Sequence, residues 1–170
     1  MADIILNKDK SMLTRMELDL TTKARDAFNS AGISSSVYGI FSLDDLEQQR
    51  ESDICAANTI AVGVGYHGAK NVMEDEKGNG ANGHGRTAMN EFRYMVVLAV
   101  PAGKDCDIRY NAGELLTIMR LSIHGSQVDG AAAARTWQFV SEAPNISQSS
   151  DDILYYVQIW QTKLPQSPNR

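Results

Sequence analysis

Two strand-like runs separated by a long stretch that cannot join a core constrain this chain more than any other feature. Thr59–Tyr66 (TIAVGVGY) and Thr87–Pro101, centred on FRYMVVLAV, are rich in β-branched and apolar residues. Between them stand twenty residues, HGAKNVMEDEKGNGANGHGR, with five glycines and almost no apolar content. A loop of that length inside a compact domain is uncommon and is normally functional or disordered. Residues 67–86 are therefore expected to form a long flexible loop that joins two strands.

The flanking segments place the helices. Leu13, Met16, Leu20, Ala24, Ala27 and Phe28 fall on one helical stripe, with Arg15, Asp19, Lys23 and Asp26 on other faces. Ser11 is the expected N-cap, and Asn29, Ser30 and Gly32 supply a stop, so a helix is predicted over 11–30. Ser35–Phe41 suits a short edge strand. In SLDDLEQQRES, Ser42 followed three residues later by Asp45 predicts one or two capped helical turns. Asn111 and Glu114 mark the start of a further helix, Leu115, Leu116, Met119 and Ile123 form its apolar face, and Gly125 ends it. SQVDGAAAAR then reads as a connector, TWQFVS (136–141) as a strand and EAPNISQSSDD as a turn region. ILYYVQIWQTKL (153–164) is apolar on both faces, which predicts a central or covered final strand.

Strands thus come in adjacent pairs instead of alternating with helices. The expected fold class is α+β, a mostly antiparallel sheet of four to five strands packed against two main helices. With 170 residues the chain suits one domain over 1–170, its polar PQSPNR end fraying from about residue 165.

Composition narrows the function classes. The formal net charge is −5, whereas a domain that grips nucleic acid through phosphates is normally basic. Cys55 and Cys106 are too few for a disulfide framework and lack metal-ligand spacing. No apolar run reaches the roughly 18–20 residues that span a bilayer, and MADIILNKDK is not expected to be a signal peptide.

Gly63-Val64-Gly65-Tyr66-His67-Gly68 is a literal G-x-G-x-x-G after a predicted strand. A dinucleotide site also needs a helix whose N-terminal amides meet the pyrophosphate, and AKNVMEDEKGNGANG carries no helical stripe. His67 and His84 flank the glycine-rich stretch, with Asp75 and Glu76 between them. Seventeen residues across glycines is far from the tight spacing of metal ligands, so both read as solvated loop histidines. His124 falls at a helix end, where a cation or a donor to the last carbonyls is favourable. Ser126 has no nucleophile-elbow context, and the aspartates on either side of Cys106 should blunt its thiol. Cys55 reads as a small buried residue. Trp137, Trp160, Tyr155 and Tyr156 suit a sheet core, or alternatively an aromatic interface. No residue is assigned to catalysis, a cofactor or a metal, and an enzyme is not expected.

The order of these pieces resembles the tail terminator (minor tail) proteins of long-tailed bacteriophages. The matching parts are the Leu13–Phe28 stripe, the hairpin around 67–86, NAGELLTIMRLSIHG, TWQFVSEAPNIS and DDILYYVQIWQTKL. In that family a helix precedes a strand hairpin with a long mobile loop, and a second helix leads to two closing strands. The resemblance implies a structural virion protein, non-enzymatic, made in the host cytoplasm and found in the tail or neck. It would form a homo-oligomeric ring, typically a hexamer, that caps the tail tube and stops its polymerisation. The capped end then presents a docking surface to a head-completion or neck protein. DNA would pass through the lumen without specific binding, which an acidic chain suits. Exposed sheet edges are natural places for a heterologous contact that closes into a ring.

Within that implied role, the tube contact is expected on the glycine-rich stretch, through Met73, Glu74, Asp75, Glu76, Lys77, Asn79, Asn82, His84 and Arg86. Lys104 and Arg109 are expected to pair between subunits with the acidic stretch at Asp44 and Asp45. The alternatives are another head–tail connector or a tail tube protein, or a small nucleotide-binding enzyme using the 63–68 glycine turn.

Overall fold

A computed structural model describes residues 12–52, 59–75, 86–101, 112–129, 131, 135–145 and 153–165. Three helices, α1 (Met12–Ser30), α2 (Leu43–Ser52) and α3 (Ala112–Ile123), accompany five strands. These are β1 (Ser35–Gly39), β2 (Ile60–Asp75), β3 (Arg86–Pro101), β4 (Gln138–Pro144) and β5 (Ile153–Pro165). One sheet contains all five in the order β1-β2-β3-β5-β4. The fold class is α+β, as the grouping of strands implied.

The α1 stripe does what its spacing dictates: Met16, Leu20, Ala24, Ala27 and Phe28 are buried. Its end is a Schellman turn. Gly32 takes φ of 71°, and the Ile33 N–H donates back to the Phe28 carbonyl at 2.9 Å, bringing two core side chains together. α1 and α3 lie on one sheet face. There Val62 and Val64 of β2, Tyr94, Val96 and Leu98 of β3, and Trp160 of β5 complete the main core with Trp137. A smaller cluster, Ile40, Ala61, Val97, Ala99 and Tyr155, gathers around Leu46 of α2 on the opposite face. The expected caps Ser11 and Asn111 lie outside the described residues.

The sheet is mostly antiparallel, as expected, with one parallel pair, β1 beside β2 from Ser35↔Ile60 to Gly39↔Val64. Parallel neighbours need a crossover, and α2 supplies it. Three expectations change. First, that helix is three turns long rather than one or two, capped reciprocally: the Asp45 N–H donates to Ser42 Oγ (3.2 Å) and the Phe41 N–H to Asp45 Oδ2 (3.1 Å). Second, His67–Asp75 is strand and not loop, since β2 runs on beside β3 to Asp75↔Arg86. A polar two-stranded ribbon draws its order from backbone pairing, so it leaves no hydrophobic alternation to read. Third, β4 continues past residue 141 to Pro144, into the stretch read as a turn, paired along β5. The double-sided apolar run 153–164 is central, between β3 and β4, as its composition required.

Candidate functional site

The part of the sheet that departs from a closed core is the outer half of the β2–β3 hairpin. β1 leaves β2 after Val64, and β5 ends opposite Met89 at Pro165. Among the described residues, the pairs Met73↔Ala88, Glu74↔Thr87 and Asp75↔Arg86 therefore stand beyond the other strands as a two-stranded arm. At a rise of about 3.3 Å per residue, those three rungs reach about 10 Å past the sheet.

A bulge between Tyr66 and Gly68 starts the outer half of β2. Gly68 carries it at φ of 144°, a conformation that strains any residue with a Cβ. Tyr66 meets Tyr94 edge-on at 5.5 Å, and Tyr94 meets Trp137 edge-on at 5.6 Å, so an aromatic ladder ties the arm's base to the main core. The Tyr94 hydroxyl donates to the Leu13 carbonyl at 2.9 Å, and burial pushes its pKa far above the ordinary phenol value.

Further out, the Glu91 side chain is only 6% exposed and lies between Lys70 Nζ (3.2 Å) and Arg93 Nη2 (2.9 Å). Burial alone would push its carboxyl up, but these two cations outweigh that and hold it below the ordinary 4.5. Its folded-state pKa lies below the unfolded one. Its stabilisation is therefore complete above about pH 4.5 and is lost as pH falls through the folded value. Glu91→Gln is expected to flatten that part of the acid limb, by about 1 kcal/mol because both cations are partly solvated. Urea midpoints of the two proteins across the acid range check it; parallel acid limbs would contradict the pairing.

A second feature is a groove of about 560 Å³ between α1 and the segment before β4, lined by Arg15, Leu18, Asp19, Lys23, Val128 and Asp129 among others. Its wall is a clamp. The buried Asp19 accepts from the Trp137 indole N–H (2.7 Å) and the Asp129 N–H (3.2 Å) through Oδ2, and pairs with Lys23 through Oδ1. All of its bonds are internal to the fold.

Of the residues expected to touch a tail tube, Met73, Glu74, Asp75 and Arg86 fall on the last three rungs of the arm, described here by their backbone alone. Glu76, Lys77, Asn79, Asn82 and His84 lie outside the described residues, as do Lys104, Arg109, Cys55 and Cys106. Asp44 is exposed on the first turn of α2. Asp45 is occupied within its own chain by Phe41 and Gln49, so it holds the helix start instead of standing open to a cation.

The glycine motif resolves into packing. Gly63 and Gly65 lie inside β2, and a Cβ on either would fall 2.5 Å from Ile40 Cδ1 or 2.6 Å from the Ile40 carbonyl. A strand continues after them, not a helix, so the geometry is not that of a dinucleotide turn. His67 is exposed on β2. His124 differs from the expected helix-end donor: its Nδ1 accepts the Phe139 N–H at 3.1 Å. Ser126 Oγ donates to the Ile123 carbonyl at 2.7 Å, closing the α3 turn. Among the described residues no three His, Cys, Asp or Glu side chains group as metal ligands, and no helix is long and apolar enough to cross a membrane.

Sequence reading missed Gln158. It is fully buried, donates to the Leu116 carbonyl and Glu142 (both 3.1 Å), and accepts from the Trp160 indole at 3.2 Å. Together with Arg120–Glu142 it fixes β4 to α3. A lone glutamine in an apolar strand was the signal available. No protein-family profile matches this chain, and comparison with curated proteins finds no match.

Proposed function

We propose that this protein is a structural virion subunit of the tail terminator kind, which assembles into a ring on the end of a phage tail tube. The observation that supports the reading is the β2–β3 arm, whose last rungs from Met73↔Ala88 to Asp75↔Arg86 stand on a base braced by Tyr66, Tyr94 and the Glu91 cations. An arm of backbone-paired, polar residues has no core to fill and suits a contact with another protein surface. The ring caps the tube, ends its polymerisation and offers its other side to a head-completion or neck protein. DNA crosses the lumen unbound, in keeping with a net charge of −5.

Removal of Gly78–Gly85 tests the reading. The variant is expected to keep its fold and self-association by circular dichroism and light scattering. It is expected to lose its hold on tube ends when phage tube subunits polymerise in its presence, seen by electron microscopy as uncapped tubes of unlimited length. Capping by the deletion variant at wild-type levels would remove the arm from the contact. In solution, six copies of 18.6 kDa, or about 112 kDa, is the expected ring mass.

A further inference from the structure

Alternate residues leading into β4 are held by the segment that follows α3. The Val128 N–H donates to the Arg135 carbonyl at 2.9 Å, the Trp137 N–H to the Ser126 carbonyl at 2.9 Å, and the Gly125 N–H to the Trp137 carbonyl at 2.8 Å. The next step of that ladder falls at Phe139, and there the partner backbone has turned away. Gly125, at φ of 79°, joins the segment to the end of α3, where the His124 N–H is given back to the Arg120 carbonyl at 3.1 Å. A side chain takes over the ladder: His124 Nδ1 accepts the Phe139 N–H at 3.1 Å.

An imidazole accepts a hydrogen bond only while it is neutral. With the proton on Nε2, Nδ1 offers a lone pair; the imidazolium carries an N–H on both nitrogens and offers none. The charged ring also has somewhere else to go. His124 follows directly on the last turn of α3, whose carbonyls and dipole favour a cation. Its two charge states therefore prefer different partners.

We propose that His124 is a pH-operated latch on the start of β4: neutral, it closes the ladder at Phe139; protonated, it lets that N–H go and turns to the end of α3. The released part is bounded by a bulge. The β4–β5 register shifts between Phe139 and Ser141, and beyond it Glu142 is held by Arg120 (3.2 Å) and by Gln158 (3.1 Å), neither of which needs an imidazole. Gln138–Val140 is what loosens. β4 stands at the end of the strand order, so proton uptake alters a terminal strand and leaves the central ones in place.

The charged groups around His124 do not share this role. Among the described residues, Arg120 stands one turn back on α3 with its guanidinium 5.5 Å from the centre of the Phe139 ring, and Glu142 on β4 pairs with it. Arg135 lies at the other end of the ladder, 3.9 Å from Met89 Sδ. The 125–128 segment and the β5 residues opposite, Trp160 and Gln161, carry no charge. Guanidinium and carboxylate groups do not ordinarily change charge between about pH 5 and 8, whereas an imidazole does.

The latch belongs to the domain and does not rest on the ring reading. Hydrogen–deuterium exchange by mass spectrometry on the full chain tests it, as protection factors corrected for intrinsic rate at about pH 7.5 and about pH 5.5. Peptides over the start of β4 are expected to lose about fivefold to tenfold protection at the lower pH, the size of one hydrogen bond, while β2 and β3 keep theirs. His124→Asn puts an amide oxygen where Nδ1 stands and takes no proton, so its β4 protection is expected to be alike at both pH values. His124→Phe has no acceptor and is expected to show the low protection at both. In the double variant His67→Gln, His84→Gln, His124 is the one histidine of three left, and the wild-type loss is expected to remain. Unchanged β4 protection in the wild type, or a loss shared equally by β2 and β3, would overturn the latch. So would a loss that persists in His124→Asn or disappears with the other two histidines.

Discussion

Asp19→Ala is expected to lower stability by about 3–5 kcal/mol, the largest single loss available from one polar side chain here. Asp19 sits on α1 with its side chain 5% exposed, and it answers three donors: the Trp137 indole, the Asp129 amide and the Lys23 ammonium. The alanine variant leaves the indole N–H of a fully buried tryptophan with no acceptor and removes the tie between α1 and residues more than a hundred positions away. Asp19→Asn keeps an acceptor but gives up the charge that Lys23 meets, so a smaller loss of about 1–2 kcal/mol is expected. Urea unfolding of both, in a double-mutant cycle with Trp137→Phe, gives the coupling directly. A loss below about 1 kcal/mol for Asp19→Ala would show that the clamp contributes little.

Gly65→Ala is expected to be the most disruptive one-carbon change in the sheet, at about 2–3 kcal/mol. Its Cβ would fall 2.6 Å from the Ile40 carbonyl oxygen, which is backbone and cannot turn aside. Relief requires moving the end of β1, whose Ile40 N–H donates to the Val64 carbonyl at 2.9 Å, and with it the start of α2. Gly63→Ala meets Ile40 Cδ1 at 2.5 Å, the far end of a flexible side chain, so about 1 kcal/mol is expected there. Denaturation midpoints of the two variants provide the check. If Gly63→Ala proves the more harmful, the close approach of the β1–α2 junction is not what these glycines serve.

Those two glycines show where local pattern misleads. As letters they complete a nucleotide-binding motif, yet each is small because Ile40, from a neighbouring strand's end, occupies the space a Cβ would need. Asp19 shows the same limit. On the helical stripe it belongs to a polar face, and it is buried where Asp129 and Trp137 meet it from the far side of the chain. Long-range partners of this kind leave no periodic trace. Where burial acts on consecutive residues the trace is plain: the α1 and α3 stripes, the double-sided β5 run and the core positions of Trp137 and Trp160 follow from spacing and composition.

The arm lay between these cases. Its length and glycine content marked 67–86 as unlike the rest of the domain, but nothing in those residues announced that nine of them extend β2. Strand order in a polar ribbon comes from its partner's backbone, and a sequence does not display its partner.

By itself the amino-acid sequence determined the helices, most of the strands, the α+β class and the segment most unlike a core, because hydrophobic periodicity is local and the main core is large. Only the tertiary structure decided that β1 runs parallel to β2 across α2, that the sheet takes the order β1-β2-β3-β5-β4, and that Asp19 and Gln158 are buried and hydrogen-bonded. Those features depend on which segments meet, and that choice is made by the summed burial and backbone pairing of the whole chain.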